Sequence, residues 1–136
     1  MTQHIAGTVD EIRARVPGVR ETFAYVDEHV LRSGVADPHL KELAFRYLAE
    51  DPEVMDVERF SGRERLALEW ARAIAWDADR ADDTFWERLH AEFSEPELVD
   101  LGCAIGFELG QQHWRRTIGL PPRDETARDD AHGRTA

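Results

Sequence analysis

The sequence predicts an all-α protein, a compact bundle of about six helices, and two observations carry that prediction. Alternating β-branched runs are absent while Ala, Leu, Glu and Arg dominate. Residues that start and stop helices also recur along the chain at helix-length intervals. At 136 residues, with 42% hydrophobic and 33% charged residues, the composition is that of a globular chain of one domain. Folding at this size buries roughly two-thirds of the extended chain's surface, enough for a core without staples.

Taken in order, Thr8 or Asp10 opens a short first helix that stops near Val16. Pro17 suits the first turn of a second helix through Arg20, Phe23, Val26 and Val30, and Gly34 suits its end. Asp37-Pro38 reads as an N-cap and first-turn proline. The helix behind it places Leu40, Leu43, Ala44, Tyr47 and Leu48 on one face, and Glu50-Asp51-Pro52 ends it. Residues 51–60 are acidic and irregular, with Val54, Met55, Val57 and Phe60 as anchors. Ser61 and Glu64 have capping-box spacing and open a fourth helix carrying Leu66, Trp70, Ala73 and Ile74. Asp82 or Asp83 caps a fifth, with Trp86, Leu89 and Phe93 on its core face. Ser94 and Glu97 form a second capping box, opening a long helix that ends near Gly119. The helical domain thus spans residues 1–122, and residues 123–136 read as a polar tail.

In the last helix Gly102, Gly106 and Gly110 recur every fourth residue and so form one stripe. Each glycine costs about 1 kcal/mol of helix propensity against alanine, so the stripe calls for compensation by close packing, within the chain or against a second copy. The surrounding residues Leu98, Val99, Leu101, Ile105, Phe107 and Leu109 are apolar on more than one side.

The net charge of −11 argues against nucleic-acid and membrane-surface roles, because such a surface repels phosphate backbones and anionic lipids. No apolar stretch is long enough to span a membrane, and Met1–Arg15 lacks the apolar core of a signal peptide. A single cysteine, Cys103, forms no internal disulfide and fits a reducing cytoplasm, the expected location. In apolar mid-helix surroundings it reads as a buried, inert thiol.

Several ionisable residues are candidates for chemistry. Glu108, between Phe107 and Leu109, is a carboxylate that burial would hold protonated, unless it points to solvent. His113 is a proton donor or acceptor near neutral pH, or a charge at the helix C-terminus. Glu42 and Arg46, four apart, form a surface ion pair or line a site. Tyr47 and Trp114 are core or pocket-wall aromatics. Glu87-x-x-His90 has di-iron spacing but no second copy, and phosphate loops, HExxH and Gly-x-Ser-x-Gly are absent; neither metal nor cofactor is expected.

From Asp37 to Pro122 the chain resembles the carboxymuconolactone decarboxylase/alkyl hydroperoxidase D superfamily. The residues that carry the resemblance are Leu40-Lys41-Glu42-Leu43, the run Gly62 to Ala71, Phe85-Trp86, the run Phe93 to Leu101, and Ile118-Gly119-Leu120-Pro121. Val16-Pro17-Gly18-Val19 is similar to the usual lead-in. The resemblance implies an all-α subunit that assembles into trimers or hexamers, with its cleft near a subunit interface. Peroxidatic members of that family carry a glutamate followed by Cys-x-x-Cys-x-x-x-His. Here Glu42 matches the glutamate, while Val54 and Val57 stand at the cysteine positions and Ser61 at the histidine. Disulfide cycling requires two thiols or an external resolver, so the resemblance supports fold and assembly over peroxidase chemistry.

Three functions stay open. The first is a cofactor-free enzyme acting on a small organic acid or lactone, with Glu42 and His113 transferring protons, Glu108 in reserve, and Arg46, Tyr47 and Trp114 holding substrate. The second is a non-catalytic homologue that binds a small ligand or a protein. The third is a peroxidase using Cys103 alone.

Overall fold

The computed structural model describes residues 2–50 and 55–124. Among these, the elements are α1 (Val9–Ala14), α2 (Pro17–Val26), α3 (Pro38–Ala49), α4 (Gly62–Trp76), α5 (Asp83–Glu92) and α6 (Glu95–Thr117), with no strand. The second helix runs on as a π-helical turn, Asp27–Leu31, and single 3₁₀ turns precede and follow α4. No helix among the described residues is long and apolar enough to cross a membrane.

The helix starts are set locally. Thr8, Asp37 and Asp82 each accept a backbone N–H of the first turn of α1, α3 and α5. Ser94 and Glu97 close a reciprocal capping box at α6. Ser61 departs from expectation: it sits at the N-cap in extended conformation, but its side chain caps nothing. Glu64 is drawn instead to His39 Nε2, 2.9 Å away on α3, because a charge-assisted partner outcompetes a local backbone bond.

Helix α3 packs on both α4 and α6, and these three helices hold the core. Leu48, Leu68, Leu89, Leu101 and Ile105 are fully buried there, and Met55, Val57 and Phe60 pack against its edge. Asp51, Pro52 and the expected anchor Val54 lie outside the described residues. A smaller cluster of Leu31, Phe45 and Ala104, joined by Phe23, Val26 and Val30, seats α2 and its π turn on the opposite flank of α6. At the far end of α3, Arg116 donates to the carbonyls of Leu48 (3.1 Å) and Ala49 (3.2 Å), a cation on two unpaired helix-terminal acceptors.

The glycine stripe divides. A Cβ on Gly102 would lie 2.7 Å from Trp70, so this glycine admits an indole ring rather than a backbone. Gly106 and Gly110 face open space, with nothing within 4 Å of a built Cβ. Val99, Cys103, Gly106, Gly110 and His113 are all exposed, spaced alternately four and three along one face of α6. Cys103 is therefore an exposed thiol, contrary to the expectation from its apolar neighbours, because only the opposite face of α6 enters the core.

Lys41 is fully buried, and its ammonium donates to the carbonyls of Val30 and Ser33 (both 2.6 Å) and to Asp100 Oδ2 (2.8 Å). Asp100 also accepts the Ala36 N–H at 2.7 Å. Gly34 makes room for this carboxylate: its φ is +115°, and a Cβ there would lie 2.5 Å from Asp100 Oδ2. All three ammonium protons thus have acceptors, and burying the charge is compensated. Burial alone would raise the Asp100 pKa, but the Lys41 bond and the N–H donors of Ala36 and Val35 outweigh it and hold the pKa below the ordinary aspartate value.

Lys41→Met should destabilise the protein by about 3–5 kcal/mol, because it strands the Asp100 carboxylate in a nearly closed site. Gly34→Ala should cost at least about 1 kcal/mol from backbone conformation alone. Urea unfolding measures both. The depressed pKa adds stability above the ordinary aspartate range, and that stability disappears as pH falls through the folded-state value. Lys41→Met should abolish this acid-side loss.

Candidate functional site

On the inner face of α6, Glu108 and Gln112 lie one turn apart and look toward α3. Gln112 is fully buried, and its Nε2 donates to the Phe45 carbonyl (3.0 Å) and to Glu108 Oε2 (3.3 Å). Among the described residues its buried Oε1 has no hydrogen-bond partner, an open acceptor beside a carboxyl group. Burial pushes the Glu108 pKa up. The Gln112 bond and the charges of Arg123 and Arg115 oppose that shift, while the nearby Glu42 carboxylate adds to it.

Glu42 stands on α3, about half exposed, and accepts two parallel hydrogen bonds from Arg123, each 2.9 Å. The Arg123 guanidinium therefore displaces the expected Glu42–Arg46 pair. Arg123 reaches α3 because the chain reverses after α6. Gly119 takes a φ of +87°, the Leu120 N–H returns to the Arg115 carbonyl (2.9 Å), and buried Arg115 binds the Pro121 carbonyl (2.8 Å) and Asp124 (3.1 Å). The stretch after Pro122 thus begins as part of the bundle, and residues 125–136 lie outside the described residues.

Of the residues singled out by sequence, the fold brings Glu42 and Glu108 within electrostatic range of each other. Arg46 is half-buried one turn from Glu42. Tyr47 is on another side of α3, buried with its ring 5.8 Å edge-on to Trp76. Burial raises the Tyr47 pKa against the opposing charges of Arg72 and Arg80, which face it from the α4 side. Trp114 lies 5.7 Å from the guanidinium of Arg13, which is seated 3.5 Å over the Phe23 ring and donates to Gln111 Oε1 at 2.8 Å. It walls the α1–α6 junction. His113 is on the outward stripe of α6, exposed, and makes no contact with Glu42 or Glu108 within this chain. The helix periodicity explains it: five positions turn His113 about 140° from Glu108. Sequence reasoning missed Gln112, Arg115 and Arg123. The first two offered a signal, since they share the inward side of α6 with Leu101 and Ile105; Arg123 offered none.

Two open cavities flank α6. One, about 580 Å³, is an apolar groove where Val16, Val19, Phe23 and Val26 face Phe107. The other, about 400 Å³, is walled by Trp70, Trp86, Leu98 and Val99, with His90 and Cys103 at its lining. Among the described residues no three His, Cys, Asp or Glu side chains gather as a metal site; Glu87 and His90 are both exposed. No protein family, curated protein or solved structure matches the chain.

The raised Glu108 pKa makes a signed prediction. Between its unfolded and folded values the native state binds more protons, so this group's contribution to stability falls as pH rises. Glu108→Gln should remove that fall and raise the melting temperature at pH 8 more than at pH 4, as differential scanning calorimetry would show.

Proposed function

We propose that the chain is a carboxymuconolactone decarboxylase-like subunit acting, without a cofactor, on a small organic acid or lactone. The observation that carries this reading is the half-buried Glu108, its pKa raised by desolvation, beside the Glu42–Arg123 pair. A substrate carboxylate can replace Glu42 as the bidentate partner of Arg123. That exchange anchors the substrate and frees Glu42 as a base. Glu108 then supplies a proton to the carbon or oxygen that gains the electron pair, and Gln112 fixes the direction of its carboxyl group. Proton balance is closed when Glu42 returns its proton to solvent and Glu108 recovers one.

A screen of small carboxylated lactones and related acids tests this. Glu108→Gln should lower kcat by about 100-fold or more, and Arg123→Gln should act chiefly on KM. Turnover that survives Glu108→Gln would refute the assignment, and saturable binding without turnover would select the non-catalytic reading. Assembly belongs to the same proposal. Val99 and Phe107 are 66% and 49% exposed beside two uncovered glycines, and a second copy packed on this stripe, in a trimer or hexamer, is the compensation they call for. Light scattering should give a multiple of three, and Gly106→Leu should reduce it.

A second reading is favoured by the exposure of Cys103 in a cavity it shares with His90. In that reading the thiolate sulfur attacks a peroxide oxygen, giving a sulfenic acid and an alcohol, and two molecules of an external thiol restore the cysteine as a disulfide and water leave. It requires fast labelling of the native thiol and hydroperoxide consumption that Cys103→Ser abolishes.

A further inference from the structure

A cavity of about 550 Å³ opens between α4 and α5. Its lining holds four guanidinium groups, those of Arg65, Arg72, Arg80 and Arg88. That concentration stands out in a chain of net charge −11. Three carboxylates share that lining, Glu58, Glu69 and Asp82, and the last two are engaged. Glu69 divides its oxygens between Arg65 (2.9 Å) and Arg88 (3.1 Å). Asp82 caps α5 through the Phe85 N–H at 2.9 Å. Arg80 turns to Asp77, outside the lining, at 3.1 Å. Arg72 makes no hydrogen bond or ion pair among the described residues.

Glu58, Glu69 and Asp82 in the lining, with Asp77 on Arg80, offset much of the charge of the four guanidinium groups, and Arg72 is left as the one of the four without an ion-pair partner among the described residues. The positive end of α5 opens on the same cavity through Thr84 and Phe85. A guanidinium offers a planar fork of donors that matches an oxyanion face to face, and several forks in a concave site favour a ligand with more than one such group. The space is wider than a single oxyanion needs. The surrounding acidic surface works against monovalent anions at long range, so selectivity falls to close bidentate contacts.

We propose that the α4–α5 cavity is a binding site for a small compound bearing two or more oxyanion groups, phosphoryl or carboxyl, held by Arg72 and Arg88 with Arg65 and Arg80 at its sides. The site is separate from the Glu42–Glu108 pair and does not depend on the reaction assigned there.

Titration of the full chain with inorganic pyrophosphate and with citrate, followed by calorimetry and by amide chemical shifts, tests the proposal and separates the two oxyanion types. Saturable one-to-one binding of either, with shifts confined to the Thr84–Arg88 turn and the facing side of α4, is expected. Arg72→Gln should weaken it by about tenfold, a loss of about 1.4 kcal/mol, and Arg72→Lys should weaken it less. Arg59→Gln, a charge change at an exposed residue outside the lining, should leave it unchanged. Absence of saturable binding by both probes would overturn the proposal. Equal weakening by Arg59→Gln would do the same, as it would reveal diffuse charge attraction. Should Arg72→Gln unfold the chain, the chemical-shift map of the unaltered protein decides alone, and shifts elsewhere would overturn the site.

Discussion

The ion pair of Lys41 with Asp100 joins the middle of the sequence to its longest helix, and most of the architecture follows from it. Through the carbonyls of Val30 and Ser33, Lys41 fixes the end of the second helix; through Asp100 it fixes α6. One buried ammonium therefore sets where α2 stops, how the chain turns through Gly34, and how α3 lies on α6. Such a pair is weak as a source of net stability, since desolvation offsets most of the attraction. Its value here is positional, because only one arrangement satisfies every donor and acceptor.

The Glu42–Glu108 site inherits its geometry from that arrangement. Lys41 and Glu42 are neighbours on α3 and point to opposite environments, the first into protein and the second toward the returning chain. Holding the α3–α6 contact at Lys41 at one end, and at Arg116 on the α3 carbonyls at the other, leaves Gln112 between them with both amide protons bound. Glu108 is thereby partly covered. Its raised pKa is chiefly a consequence of helix packing, with a smaller contribution from the Glu42 carboxylate, since the cations near it act in the opposite direction.

What the sequence made legible was local. Asp37-Pro38, Thr8, Asp82 and the Ser94–Glu97 box lie within one turn of what they cap, and each behaves as its spacing predicts. Ser61 did not, because His39, far off in sequence, took its glutamate. Glu42 and Glu108 could be singled out by residue type, but their union could not, because it depends on Arg123 folding back from what looks like a polar tail. Cys103 was misjudged for a related reason. Helix α6 is apolar on several sides, so periodicity alone does not tell which side enters the core, and the covered face proved to be that of Leu101, Ile105 and Gln112. Lys41 carried no signal at all; a lysine in a charged helical stretch reads as a solvated surface residue.

The crowding of Asp100 against Gly34 has a consequence for how this protein can change over generations. A side chain at position 34 collides with the carboxylate, loss of the carboxylate orphans the ammonium, and loss of the ammonium orphans the carboxylate. Each single substitution is harmful, while an apolar replacement of the charged pair made in one step would be tolerated. Positions 34, 41 and 100 should accordingly drift as one heritable unit, holding their identities together through lineages in which the surrounding surface varies freely, and parting only in descendants that exchanged all of them.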